Sequence, residues 1–491
     1  MIQRRAVACC LGLLAGIAIH GCWPISPMSF WIPLAIVCVS LCIRHDVIVG
    51  FCLALALGFV RFDLMLPSSS DGLLSRTGES VTIEGVIRKA RSYDALLHID
   101  LIEGSPAASR SFVAFAKPFA KEGERWRVSC RLETSGEGSE IRDRMDRRDR
   151  VFARCRGSVS AIKLDDAPGL FLPAILARWR MAISQRINRL FPGDQGALLS
   201  GILYGDRGLS QEANAAFRAA GMTHLIAVSG SNIAIVVGLF VPFFLLLGYR
   251  RPWAIVLSGA AIFLFTIFVG ASASVIRAAI MGWLAILGRV FGRKASATRL
   301  LLIAGSLMAF FDPHALLYDA GFALSFLATW GLIAWAQPIA DALTRVPKIF
   351  GLREMISTTL AATFATFPFS SWAFGTISLA GLLTNVFAIP LTAFVMLWGA
   401  IGVVLGGLMP WLIFPASGGL RLLLWIANLG SSYPILQIAW RMPWWMCVAC
   451  YVCGFFWWRR RLKRQPSAGE DRMDVWSKIG DNSHVSTSNM T

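Results

Sequence analysis

The sequence predicts a polytopic α-helical membrane protein with a small extracytoplasmic β-barrel domain inserted near its N-terminus. Two observations predict it. Of the 491 residues, 56% are hydrophobic and 15% charged, and the apolar residues gather into runs of about 18 or more, the length that crosses a hydrocarbon core. Residues 67–166 break that pattern with alternating apolar and polar positions, the period of two that marks half-buried strands.

Residues 1–66 hold three apolar stretches, AVACCLGLLAGIAI, MSFWIPLAIVCVSLCI and VIVGFCLALALGFV, separated by short loops. They read as three transmembrane helices. A signal peptide is the competing reading, because MIQRR precedes an apolar core and IHGC at 19–22 resembles a lipoprotein cleavage box. His20 is wrong for that box, and two further spans follow at once. Basic residues then orient the chain. Arg4 and Arg5, Arg44, Arg250 and Arg251, Arg289 to Lys294, and the run RRRLKR at 459–464 all belong on the cytoplasmic side. Both termini are therefore expected inside, and residues 67–166 outside. Much of the net charge of +18 is this anchoring, so the total does not by itself demonstrate a nucleic-acid partner.

Within the inserted domain, VTIEGVI (81–87), LLHIDLIE (96–103), RWRVSCRLE (125–133) and VFARCRGSV (151–159) alternate as strands do. Trp126, Val128, Cys130 and Leu132 share one face, as do Val151, Ala153 and Cys155. About five short strands in a hundred residues suit an OB-type barrel. The inward Cys130 and Cys155 either bond, in an oxidising compartment, or remain two core thiols; spacing does not decide between them. The charged stretch SGEGSEIRDRMDRRDR (135–150) is either a solvated hairpin tip or a phosphate-binding edge.

Residues 167–220 connect the barrel to the main membrane domain. In LPAILARWRMAISQRINRLF (172–191), Ile175, Leu176, Trp179, Ile183, Ile187 and Leu190 form an apolar stripe with arginines opposite, the pattern of an interfacial helix. Gly205, Asp206 and Arg207 form a turn, and Ser210 caps a short helix running through Phe217. Residues 221–460 carry the remaining spans. Within 461–491, the tail after 465 lacks apolar periodicity and reads as disordered.

Several of those spans carry groups that lipid does not tolerate. GMTHLIAVSGSNIAIVVG (221–238) contains Thr223, His224, Ser229, Ser231 and Asn232, each costing several kcal/mol if left unpaired in hydrocarbon. On a continuous helix His224 and Ser231 share a face, with Ser229 and Asn232 beside them, while Gly221, Gly230 and Gly238 admit another backbone. Ser274 and Arg277 lie three apart in GASASVIRAAIM, and Asp319 and Ser325 occupy DAGFALSFLA. Arg277 and Asp319 are candidates for each other's partner. Pro368, Phe374, Gly375, Asn385 and Pro390 interrupt the apolar pattern further on. Small polar residues glue helices together in many bundles; His224, Asn232 and Arg277 fit a wet pathway better.

In order, GDRGLSQEANAAFRAAGMTHLIAVSGSN, GASASVIRAAIM, DAGFALSFLA and FGTISLAGLLTNVFAIPL resemble the competence domain of the ComEC family, the inner-membrane DNA-uptake channels of naturally transformable bacteria. The resemblance covers about residues 195–400, and the β domain resembles that family's extracytoplasmic OB-like domain. It implies a channel in the bacterial inner membrane that passes single-stranded DNA to the cytoplasm while the other strand is degraded. Carried over by motif, the pathway candidates are Asp206, Arg207, His224, Ser229, Asn232, Ser274, Arg277, Asp319 and Ser325, to which Asn385 is added from the broken-helix region. Many members continue into a metallo-β-lactamase-like domain with a His-x-His-x-Asp-His cluster. Here the six histidines, 20, 45, 98, 224, 314 and 484, are scattered. The expectation is therefore a channel and not an enzyme, with no metal or cofactor, working with a separate nuclease, a DNA receptor and a cytoplasmic DNA motor, and open to self-association as a homo-oligomer. A transporter of another polar solute is one alternative. An intramembrane serine hydrolase is the other, since AVSGS around Ser229 resembles a Gly-x-Ser-Gly motif, but His224 is five residues away, about 140° around the helix, and no histidine lies on another span.

Overall fold

The computed structural model describes residues 2–22, 46–65, 76–90, 95–106, 112–116, 124–134, 146–149, 151–166, 171–206, 208–226, 243–269, 273–290, 296–346, 351–378, 380–432 and 437–464. The chain divides into two compact units, Met1–Ala182 with Leu302–Ala323, and Ile183–Leu301 with Leu324–Thr491.

In the first unit, helices Ile2–Cys22 and Asp46–Asp63 pack side by side in the same direction, as expected of spans one and three. Glycine sets their separation: a Cβ at Gly12 or Gly16 would overlap the carbonyl oxygens of Phe51 and Leu55, so the two backbones touch. Leu13, Ile17, Phe62 and Ala309 form a small core between these helices and helix Ala297–Phe311. Arg61 Nε donates to the Phe310 carbonyl at 2.7 Å, satisfying an acceptor that the end of that helix leaves open. The expected second span falls outside the described residues.

The inserted domain is a β barrel. Strand β1 (Ser80–Ala90) pairs with β2 (Ala95–Ile102) and, after the two-residue β3 (Ser105–Pro106), β2 pairs with β4 (Phe112–Phe115). β4 runs parallel to β6 (Val151–Asp166), β6 is antiparallel to β5 (Glu124–Thr134), and β5 returns to β1. Five strands thus close on themselves, consistent with an OB-type barrel. Alternation dictates the core: Trp126, Val128, Cys130 and Leu132 all point inward with Val81, Ile83, Ile87 and Leu97. β4 is the strand that alternation did not reveal. FVAF is too short to show a period, and it is defined by the neighbours it pairs with. Cys130 and Cys155 are joined by a disulfide, with Cα atoms 5.3 Å apart, beside the register shift between Ser129 and Arg131.

In the second unit, helices Asp194–Tyr204 and Gln211–Ala219 share one core with helices Ala380–Leu405 and Ile413–Ser431. Ser210 caps the second of them, accepting from the Ala213 amide at 3.1 Å, as its position before an apolar-periodic stretch requires. Helix Leu352–Phe374 ends on Gly375 at φ 68°, and Thr376–Ser378 (β7) pairs with Gln437–Ala439 (β8). The interruption expected across 368–390 is confined to this break, because Pro368 and Pro390 lie inside continuous helices. One rung along from Pro368 a side chain mends the ladder: Tyr451 accepts from the Phe369 amide at 3.2 Å and donates to the Ala365 carbonyl at 2.9 Å. The last helix, Trp444–Arg464, runs through RRRLKR and so extends past residue 460. Among the described residues, Ala320–Ala342, Leu383–Leu405 and Pro410–Ser431 are long and apolar enough to cross a membrane, with four shorter apolar helices beside them.

Candidate functional site

Helices Ala273–Val290 and Ala320–Ala342 bring together the polar groups that the sequence placed in separate spans. Ser274 and Arg277 lie three apart on one helix and Ser325 and Thr329 four apart on the other, so each pair projects from a single face. Ser274 Oγ donates to Ser325 Oγ at 3.0 Å. One turn along, the Arg277 guanidinium donates to the Thr329 hydroxyl, which itself donates to the Ser325 carbonyl at 2.9 Å. Arg277 also stands over the Phe326 ring, 5.8 Å from its centre, a cation–π contact. Arg277 is only 9% exposed, and its Nε has no hydrogen-bond partner among the described residues. The guanidinium is thus held by a hydroxyl and a ring.

Asp319 is not drawn to Arg277 as expected. Its carboxylate pairs with Arg148 of the β domain's charged loop, Nη2 to Oδ2 at 2.7 Å, and also accepts from the Gly321 amide at 2.9 Å, where the Ala320–Ala342 helix begins. The loop is anchored from below as well. Buried Asp146 receives both Arg154 Nε and Nη2, at 2.7 and 2.5 Å. At Asp146 and Arg148 the charged stretch is therefore a docked element, neither a solvated tip nor an open phosphate-binding edge.

His224 is exposed, in the helical turn Thr223–Ile226. Asn385 is 8% exposed, with Oδ1 unpartnered among the described residues. Next to it, Thr384 donates to the Ala220 carbonyl at 2.9 Å, and Gly381 abuts Gly221, the backbone approach that Gly221 permits. Arg207, Ser229 and Asn232 lie outside the described residues. Asp206 lines a cleft of about 500 Å³ together with Ser184, Asn188, Asp194, Ser200 and Ser210. Asp194 accepts from the Ser210 amide at 3.0 Å and hydroxyl at 2.9 Å. Thr329, Arg148 and this cleft were not anticipated. Only Thr329 carried a signal, four residues beyond Ser325 on the same helical face. Among the described residues no three His, Cys, Asp or Glu side chains gather to hold a metal ion.

Cations on the barrel wall stand in ion pairs: Arg127 with Glu84 at 2.6 Å, Arg156 with Glu133 at 2.7 Å and Lys163 with Glu124 at 2.9 Å. Exposed pairs of this kind are worth at most about 1 kcal/mol, so a phosphate can compete for the cation.

A family model described as Competence protein matches residues 202–464. The chain is 26% identical over 249 residues to ComE operon protein 3 of Bacillus subtilis (strain 168), a match covering 50% of this chain and 31% of that protein. The chain thus spans about a third of the length of the curated relative it matches. No solved structure matches it.

Proposed function

The chain belongs to the Competence protein family, and from that premise we propose that it is a bacterial inner-membrane channel that admits single-stranded DNA to the cytoplasm during natural transformation. The observation that carries this reading is Arg277: a guanidinium buried between apolar helices, held by the Thr329 hydroxyl and the Phe326 ring. A charge at that depth is retained where it faces water or a ligand, and a phosphate chain supplies what a hydroxyl cannot, a counter-charge. The Ser274–Ser325 pair beside it adds a polar strip along the same two helices. Transport, not bond cleavage, is the role assigned to this chain. A separate nuclease, a DNA receptor and a cytoplasmic motor would complete the process.

Arg277→Gln tests the reading. Transformation should fall by about tenfold or more while membrane abundance stays near the parent level, because glutamine keeps a donor for Thr329 and removes only the charge. Arg277→Lys should recover part of the activity. Full transformation by the Gln variant, or loss of the protein itself, would assign Arg277 to packing.

A further inference from the structure

The helices Leu383–Leu405 and Pro410–Ser431 can each cross a bilayer, and residues 186–220 pack along them from one end to the other. Near the turn that joins them, Arg186 donates to the Val404 carbonyl at 3.1 Å and Phe191 lies against Gly402. Farther along, Leu199 occupies the space that a side chain at Gly399 would need, and Ser417 Oγ donates to Gln195 Oε1 at 2.9 Å. At the far end Ala220 meets Thr384 and Gly430. Thr384 and Gly399 are separated by about 22 Å at the helical rise of about 1.5 Å per residue. That distance is most of a hydrocarbon core of about 30 Å.

The segment between those contacts is too polar for lipid. It includes two short helices, Asp194–Tyr204 and Gln211–Ala219, and between them Gly205, Asp206 and Gly208 to Ser210 are non-helical. Carboxylates and irregular backbone persist at bilayer depth only where protein or water surrounds them. The cleft can supply that water. Ser200 points to it independently of the acidic residues: it is 3% exposed, it lines the cleft, and its hydroxyl has no partner among the described residues. A buried hydroxyl left that way costs about 1–3 kcal/mol unless water satisfies it.

We propose that the cleft bounded by Ser184, Asn188, Asp194, Ser200 and Ser210 is a water-filled recess at bilayer depth and part of the route of the translocated strand. The second half rests on the DNA-uptake reading above. The wall suits a conduit: its hydroxyls and amide can hydrogen-bond sugars and bases, while Asp194 and Asp206 discourage phosphates from lodging. Conduction requires such weak, exchangeable contact.

Cysteines placed singly at Ala197 and Gly208, which also line the cleft, in the full chain in its own membrane, test this with a membrane-impermeant cationic methanethiosulfonate and peptide mass spectrometry at each site. Phe394→Cys and Leu397→Cys, at positions 42% and 43% exposed in the middle of an apolar span, serve as lipid-facing controls. Ala197→Cys and Gly208→Cys should react about tenfold faster or more than the controls, because the reactive thiolate forms in water. Equal rates, or no reaction at either site, would overturn the recess. Modification of Ala197→Cys should also lower transformation by about tenfold or more, as a plug in a conduit would. Rapid modification with transformation unchanged would remove the cleft from the route and leave the family's role in uptake standing.

Discussion

Asp319 joins two parts of the first unit through one side chain. It accepts from the Gly321 amide at a helix start and pairs with Arg148 of the β-domain loop. Burial alone would lower the Arg148 pKa, but the carboxylates of Asp319 and Asp149 outweigh it and hold the guanidinium above its ordinary value. A raised pKa means that the contribution is complete below that value and lost only as pH rises past it. Arg148 should therefore add no pH dependence near neutrality. Arg148→Ala and Asp319→Ala should each lower the thermal midpoint of the solubilised protein. The double variant should lose less than the sum, a coupling of about 1 kcal/mol, and strict additivity would show that the pair contributes nothing. Arg277 was legible in the sequence because any arginine within an apolar run needs a partner. Its partner was not. Asp319 looked suitable by charge, yet the choice depends on which helices meet, and Thr329 is inconspicuous among the apolar residues of its helix.

At the level of elements, the barrel was readable wherever a strand was long enough to show its period, and the cysteine faces followed from that period alone. Whether the cysteines bond depends on the pairing of β5 with β6, a non-local fact. The bridge closes a loop with a sequence separation of 25, for which loop-closure entropy gives about 3.5 kcal/mol. Replacing both cysteines by alanine should thus lower the barrel's resistance to unfolding by about 2–4 kcal/mol, visible as protease sensitivity of residues 67–166 in intact cells; unchanged sensitivity would refute a stabilising role. The helical break was harder to read. Proline and glycine marked the region, but whether a proline breaks a helix depends on what can replace the missing bond. At Pro368 the support comes one rung along, where Tyr451 bridges the Phe369 amide and the Ala365 carbonyl. Tyr451→Phe should cost about 1–2 kcal/mol by stranding part of that bridge, and an unchanged thermal midpoint would mean that Phe369 bonds directly to Ala365.

For the whole molecule, charge and packing supply different coordinates. Basic loops say which side of the bilayer a chain end occupies, whereas packing says what depth a segment shares with its neighbours. The basic loops favour an extracytoplasmic barrel and cytoplasmic termini, so alkaline phosphatase fused near residue 120 should be active and near residue 465 inactive. Packing adds a constraint that charge does not contain. Arg186 donates to the Val404 carbonyl and Phe191 abuts Gly402, so the end of helix Phe171–Leu190 lies beside the turn near residue 408, where Leu408 is 81% exposed. An amphipathic helix whose apolar stripe and arginines suit an interface should keep both sites at one surface. Small epitope tags inserted singly after residues 192 and 408 must then report the same side to an impermeant antibody, whichever side it is. Opposite sides would separate Arg186 from Val404 by the thickness of the bilayer and would sink both this packing and the recess built on it.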